Sequence, residues 1–309
     1  MIYLKKAMLY LMERFIELLP SSIESIFLNV IEDKFERKNS MLSRSAKGKY
    51  GLIQGSARDN AILETYAKSG VWAERTNDLL ENFFSRNDYK GTYLDIGANI
   101  GLTTIPISKH SGITCHSFEP EPKNFNYLNI NMQLNCLHEN VSCYNFGLSD
   151  NNEILPMELS YRNLGDHRIR KNEQLSRSGE NLRKSVNINL KKLDSIGLDS
   201  PNPLAVKIDT QGAEPFVISG GIEILKKSDL VILEYTPYMM NRMGSNPEEI
   251  WSFIFHFNKI RILIGEQAID SLNKIYSPEE AKPLLEKFFD EHKFRTGCAN
   301  CYCDIILEH

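Results

Sequence analysis

From about residue 61 onward the chain switches regularly between two hydrophobic patterns. Short apolar runs bounded by Gly, Pro, Asn or Asp read as strands buried on both faces: Thr92 to Ile96, "ITCHSFE", the start of "VSCYNFGLSD", "LAVKI" and "DLVILEY". Helical spacing fills the intervals. Leu79, Leu80, Phe83 and Phe84 precede the first strand, Ile100 to His110 is closed by Ser111-Gly112, Asn124 to Leu134 follows the second strand, and a helix opens at Pro215 after the fourth. This alternation predicts an α/β fold, with a doubly wound, mostly parallel sheet covered by helices on both faces. Farther along, Asn246-Pro247-Glu248-Glu249 and Ser277-Pro278-Glu279-Glu280 each supply an N-cap, a first-turn proline and an acid in the first turn. They predict two helices bracketing "KIRILIG", and "CYCDIIL" reads as a final strand.

Two stretches break the rhythm. Between Gly147 and Pro203 the interval is far longer than an ordinary connection, so it reads as an insertion. Within it "VNINL" alternates apolar Val186, Ile188 and Leu190 with Asn187 and Asn189, the period of a half-exposed antiparallel strand, with "ILPMEL" as its partner. The second stretch is the N-terminus. Leu4, Met8, Leu11, Phe15 and Leu18 share one helical face while Lys6, Glu13 and Glu17 lie opposite, and Ser21-Ser22-Ile23-Glu24 opens a second helix. Residues 36–60 are polar and read as a linker. The expected organisation is therefore a helical N-terminal extension and linker over 1–60 and a main domain over 61–309. The amphipathic helices suit packing on the main domain, self-association, or peripheral contact with the inner face of a membrane.

Composition narrows this picture. The net charge of −4 gives no global attraction to nucleic acid. Lys5, Lys6, Glu13, Arg14 and Glu17 interrupt the one N-terminal apolar run, so neither a membrane span nor a signal peptide is expected. Six cysteines are too few for a disulfide scaffold and read as reduced thiols of a cytoplasmic protein. Cys298, Cys301 and Cys303 have no second paired motif to complete a zinc site.

The chemistry concentrates where strands end. "YLDIGANIGLTT" runs a strand into a turn with Gly97 and Gly101, whose spacing departs from the dinucleotide pattern G-x-G-x-x-G. Asp95, two residues before Gly97, would repel a phosphate and suits the cationic amino group of S-adenosylmethionine (SAM). Glu119, at the end of the second strand, stands where an acid accepts both ribose hydroxyls. Gly97, Ala98, Asn99 and Gly101, with Leu148 in the exit of the third strand, complete the cofactor-binding set.

At this point a resemblance emerges. "YLDIGANIGLTT", "FEPEP", "NLGDHRI" and "VKIDTQGAEPFVISGG" resemble the motif series of FkbM-type methyltransferases over about residues 60–307. The resemblance implies a seven-stranded, Rossmann-like class I methyltransferase sheet, SAM as methyl donor, and transfer to a hydroxyl, often of a sugar or polyketide. A glycan, glycolipid or other small metabolite is the expected acceptor. The competing readings are methylation of nitrogen or of a protein, and a SAM-binding scaffold without turnover.

An alcohol attacks a methyl group only as its proton leaves, so a base is sought near the sheet's carboxyl edge. Asp209 and Glu234 close the fourth and fifth strands, while Asp166 and His167 lie in the insertion. The expected division is positioning at Asp209 and proton removal at His167. Asp209 and Glu234 also form a possible but unfavoured Mg²⁺ pair, since two carboxylates are a thin ligand set. Glu214 reads as a helix-start acid. The basic insertion, including Arg162, Arg168, Arg170, Lys171, Arg177, Arg183 and Lys184, suits either an anionic acceptor or a solvated loop.

Overall fold

A computed structural model describes residues 43–137, 139–160, 163–169, 183–198, 202–265, 274–295 and 300–309. The expected N-terminal helices, and within the insertion Arg162, Arg170, Lys171 and Arg177, lie outside these residues. The described part opens with an antiparallel hairpin, β1 (Ser43–Gly48) and β2 (Gly51–Ser56), followed by helices α1 (Ile62–Ser69) and α2 (Glu74–Ser85). Then come β3 (Gly91–Ile96), α3 (Thr104–Ser108), β4 (Ile113–Phe118), α4 (Pro122–Leu134) and β5 (Val141–Tyr144). The insertion contributes β6 (Gly147–Leu148), β7 (Glu153–Glu158), β8 (Arg168–Ile169) and β9 (Ser185–Lys191). The alternation resumes with β10 (Leu204–Ile208), α5 (Glu214–Leu225), β11 (Leu230–Tyr235), α6 (Pro237–Met243) and α7 (Glu248–Phe253). It ends with β12 (Lys259–Ile264), α8 (Pro278–His292) and β13 (Cys303–Glu308).

The central sheet has seven strands in the order β12-β13-β11-β10-β3-β4-β5. β13 alone runs against the direction of the other six strands. The apolar runs are explained by burial on both faces: Leu94, Ile96, Val206 and Ile208 enter one helical layer, while Tyr93, Ala205 and Ile232 enter the other. Strand order reverses between β3 and β10, the place where open α/β sheets hold ligands at the carboxyl ends of the strands. At the start of α8, Ser277 and Glu280 form the predicted reciprocal capping box.

Three expectations change. Residues 43–56 are a hairpin rather than linker, seated on α4 by asparagines. The Asn131 side chain accepts from the Gln54 amide at 2.7 Å and donates to the Gln54 carbonyl at 2.9 Å, and Asn135 serves Leu52 in the same way. These contacts use backbone groups of the hairpin, so they leave no hydrophobic alternation to read. The helix expected over Ile100 to His110 is confined to Thr104–Ser108, because Asn99 and Gly101 are left-handed at φ 51° and 92°. Cys301 is disulfide-bonded, against the reading of all six cysteines as reduced thiols, whereas Cys115, Cys136, Cys143 and Cys303 are free. Three cysteines fall within the last dozen residues, close enough in sequence for thiols to meet.

The insertion forms a sheet of order β6-β9-β7-β8, and "VNINL" pairs with "ILPMEL" antiparallel as predicted, Ile188 opposite Leu155. Met157, Ile169, Ile188 and Leu190 pack it against Ala213 and Met243. A buried ion pair between Glu158 on β7 and Arg242 on α6 ties it to the main domain. No described helix is long and apolar enough to cross a membrane. Replacing Arg242 with Leu removes this cationic partner from the Glu158 carboxylate, which is 0% exposed. We expect a loss of about 3–5 kcal/mol in urea unfolding, and a change below about 1 kcal/mol would show that the pair does not anchor the insertion.

Candidate functional site

The two central strands meet in a buried ion pair. Asp95 and Lys207 are directly opposite in register, and Asp95 is 0% exposed. Its Oδ2 accepts from the hydroxyls of Thr103 and Thr104, both at 2.7 Å, and its Oδ1 lies 3.3 Å from Lys207 Nζ. The expected contact of Asp95 with a cationic amino group is therefore corrected, because neighbouring side chains occupy its carboxylate inside the sheet. Lys207 Nζ also donates to the Gly97 carbonyl at 3.1 Å. Burial works against its charge, but Asp95 and Asp209 outweigh burial and raise its pKa, so it remains an ammonium.

Around this brace the turn is shaped closely. The amides of Gly97 and Ala98 donate to the Phe118 carbonyl at 3.1 and 3.0 Å, which fixes the turn against the end of β4. Gly97 sits at φ 84°, and a Cβ there would lie 1.9 Å from the Asp209 carbonyl oxygen. Glu119 accepts one backbone amide on each carboxylate oxygen, Asn99 at 2.9 Å and Glu121 at 2.8 Å. Burial pushes its pKa up to about 8 against those two amides. The side chains of Asn99 and Asn124 both donate to the Leu164 carbonyl, at 3.0 and 3.1 Å, which pins the insertion over the turn.

A cleft of about 1160 Å³ follows the carboxyl edge of the sheet. Gly97, Ala98, Asn99, Glu119 and Leu148 line one part, and His167, Asp209 and Glu234 another. Asp95, Gly101 and Asp166 are not among its lining residues. Gly101 instead lies against Met132 and Leu128, where a Cβ would approach within 2.8 and 2.9 Å.

The acceptor-side candidates separate clearly. Asp166 is a clamp for the insertion: Arg168 Nε reaches its Oδ1 at 2.5 Å and Arg183 Nη2 its Oδ2 at 2.9 Å. These pairs also satisfy two of the arginines counted toward a basic surface. His167 accepts the Ser160 amide on Nδ1 at 3.0 Å. The neutral ring must then carry its hydrogen on Nε2, leaving no free lone pair. Burial also pulls its pKa down to about 4. This geometry corrects the assignment of the proton to His167, which is built to donate. Glu214 accepts the amides of Thr210 and Gly212 at 2.8 and 3.0 Å, the helix-start role expected of it.

Asp209 remains, its side chain about one-third exposed to the cleft (35%) with Oδ2 3.7 Å from Lys207 Nζ. Gln211 Nε2 donates to Asp209 Oδ1 and Glu234 Oε2, each at 2.9 Å. Burial and the Asp209 charge raise the Glu234 pKa well above the usual carboxylate range. Among the described residues no group of three or more His, Cys, Asp or Glu side chains is arranged to hold a metal ion. Sequence reasoning missed Lys207 and Gln211, although a lysine inside the apolar run "LAVKI" was a visible signal of a buried partner.

The family model described as Methyltransferase FkbM domain matches residues 95–260, which span the turn, the insertion and the Asp209 strand end. The chain belongs to the FkbM methyltransferase family. No curated protein matches it. Similar solved structures include M. jannaschii TYW2 in complex with AdoMet, at 12% identity and TM-score 0.38, covering 87% of this chain and 85% of that one. Magnesium protoporphyrin IX methyltransferase from Synechocystis with bound SAH shares 9% identity at TM-score 0.39, covering 76% and 82%. Precorrin-6y C5,15-methyltransferase from Geobacter metallireducens shares 12% at 0.34, covering 71% and 79%.

The cofactor of this FkbM methyltransferase is SAM, and the site's residues fit it. Glu119 keeps a free lone pair on each oxygen beside the glycine turn. Asn124, which lines the cleft, leaves its buried Oδ1 without a partner, an acceptor suited to a hydroxyl or amino hydrogen. The raised Glu119 pKa carries a stability signature. A carboxyl held at about 8 against an ordinary 4.5 binds its proton more tightly folded than unfolded. Its contribution is full below pH 4.5 and is lost as pH rises through about 8, on the order of 5 kcal/mol. Glu214, pushed to about 7 by burial, acts in the same direction. Urea unfolding of the cofactor-free chain across this window should show a clearly shallower decline in Glu119→Gln. Parallel curves for the two proteins would contradict the assignment.

Proposed function

We propose that this chain transfers a methyl group from SAM to a hydroxyl oxygen of a glycan, glycolipid or other small metabolite, with Asp209 taking the acceptor's proton. The observation that carries the reading is the position of Asp209. Its backbone touches the glycine turn at Gly97 while its carboxylate opens into the cleft, so cofactor turn and base share one wall. Bound SAM supplies an activated methyl carbon on a sulfonium. Glu119 accepts from the two ribose hydroxyls, and Ala98, Asn99 and Leu148 form the surrounding wall. Lys207 stays fixed by Asp95 and Gly97, with its ammonium 3.7 Å from the Asp209 carboxylate. A hydroxyl becomes strongly acidic as its oxygen bonds to carbon, so an aimed carboxylate suffices as base. His167 presents Nε2–H and serves as a donor that orients the acceptor.

Two measurements bear on this reading. With an acceptor found by intact-mass screening of hydroxyl compounds, Asp209→Asn should lower kcat by about 10²–10⁴-fold while calorimetry shows SAM still bound. His167→Ala should leave no missing limb near pH 6.5 in the rate profile. A full-rate Asp209→Asn enzyme would remove Asp209 as the base. At pH 7 the Glu119 carboxyl is mostly protonated in the cofactor-free chain, so ribose hydrogen bonds to its ionised form should release a proton on SAM binding. Binding enthalpies in buffers of different ionisation heat should report that release. Glu119→Ala should abolish it and weaken binding by about 1–3 kcal/mol, whereas unchanged affinity would place Glu119 outside the cofactor site.

A further inference from the structure

Gln211 has a left-handed backbone, φ 57°, although it is neither glycine nor asparagine. Such strain persists only where the surroundings over-determine it, and it gathers at functional sites. Here the amide side chain is the determinant. Both of its N–H groups are used, one by a carboxyl from the exit of β10 and one by a carboxyl from β11. Burial and the neighbouring Asp209 carboxyl raise the Glu234 pKa well above the usual carboxylate range. The other charged groups facing the pair are Lys207 on β10 backed by Asp95 on β3, Glu214 on α5, and Asp304 on β13 paired to Arg75 on α2 at 2.5 Å.

We propose that Gln211 is a positioning residue for the acceptor proton: its amide bridges the Asp209 and Glu234 carboxyls at 2.9 Å each and holds Asp209 facing the cleft. The proposal rests on the reading of Asp209 as base. In the transfer, an oxygen lone pair of the acceptor forms the bond to the methyl carbon, and the C–S bond breaks with its electrons left on sulfur. The hydroxyl proton passes to Asp209 while the O–H electrons stay on oxygen. Asp209 returns its proton to water after product leaves. Each Gln211 N–H stabilises a carboxylate over its acid, so removing the amide should make Asp209 harder to ionise.

Infrared spectroscopy of the full chain with SAM bound reads carboxyl titration without any acceptor, and Asp209→Asn and Glu234→Gln assign the bands. In Gln211→Gly and in Gln211→Asn, whose shorter amide cannot span both carboxyls, the Asp209 band should titrate about one pH unit higher than in the parent. Glycine and asparagine both tolerate φ 57°, so melting temperature and SAM affinity should be retained or improved. A purely structural Gln211 would leave the titration where it is, and an unshifted Asp209 band in both variants overturns the proposal. Full turnover in Asp209→Asn would instead defeat the base reading alone, and the titration shift would still judge the clamp.

Discussion

An ammonium and a carboxylate buried between the two central strands hold the rest of the site in place. Isolated in the sheet, either charge would be strongly unfavourable, so Asp95 and Lys207 require each other. Their remaining bonds reach outward to everything that matters functionally. Asp95 fixes Thr103 and Thr104 where α3 begins, while Lys207 holds the Gly97 carbonyl and lies beside Asp209. The glycine turn, the first helical turn after it and Asp209 are thus set by one polar centre at the point where strand order reverses. With Asp95 held inside the sheet, Glu119, Asp209 and Glu234 are among the acids that line the cleft.

The insertion is joined to the same centre by backbone acceptors. Leu164 offers one carbonyl to Asn99 of the turn and Asn124 of α4, so the loop over the cleft and the amide that binds Glu119 share a residue. Asp166, drawn between Arg168 and Arg183, shapes that loop, and His167 is locked by the Ser160 amide. The insertion therefore contributes walls and a hydrogen-bond donor, and the charge chemistry stays on strand ends of the rigid sheet.

Much of this was legible in the sequence because two periods of hydrophobicity separate strands from helices. The five parallel strands, the final β13 and the antiparallel pairing of β7 with β9 follow from burial alone. Glu119 and Asp209 could be placed at the carboxyl edge from their positions after apolar runs, and both line the cleft there. The hairpin was hidden because its apolar contribution to the core is limited to Ala46, Tyr50 and Ile53, and asparagine side chains bind its backbone groups besides. Asp95 was misassigned for a similar reason: a carboxylate at a turn looks the same in sequence whether a cofactor or an opposing lysine satisfies it. The histidine reading failed on the identity of a single donor, the Ser160 amide, which no spacing encodes. Gln211 was passed over because its role depends on two carboxyls brought together from strands more than twenty residues apart.

The central claim is that one rigid wall, from Gly97 to Asp209, holds the cofactor and receives the acceptor's proton. A crystal structure of the full chain with S-adenosylhomocysteine tests it most directly. The account predicts both ribose hydroxyls within hydrogen-bond distance of Glu119, and the cofactor sulfur turned toward the cleft that Asp209 faces. A nucleoside bound away from Glu119, or a sulfur separated from Asp209 by the insertion, would contradict it.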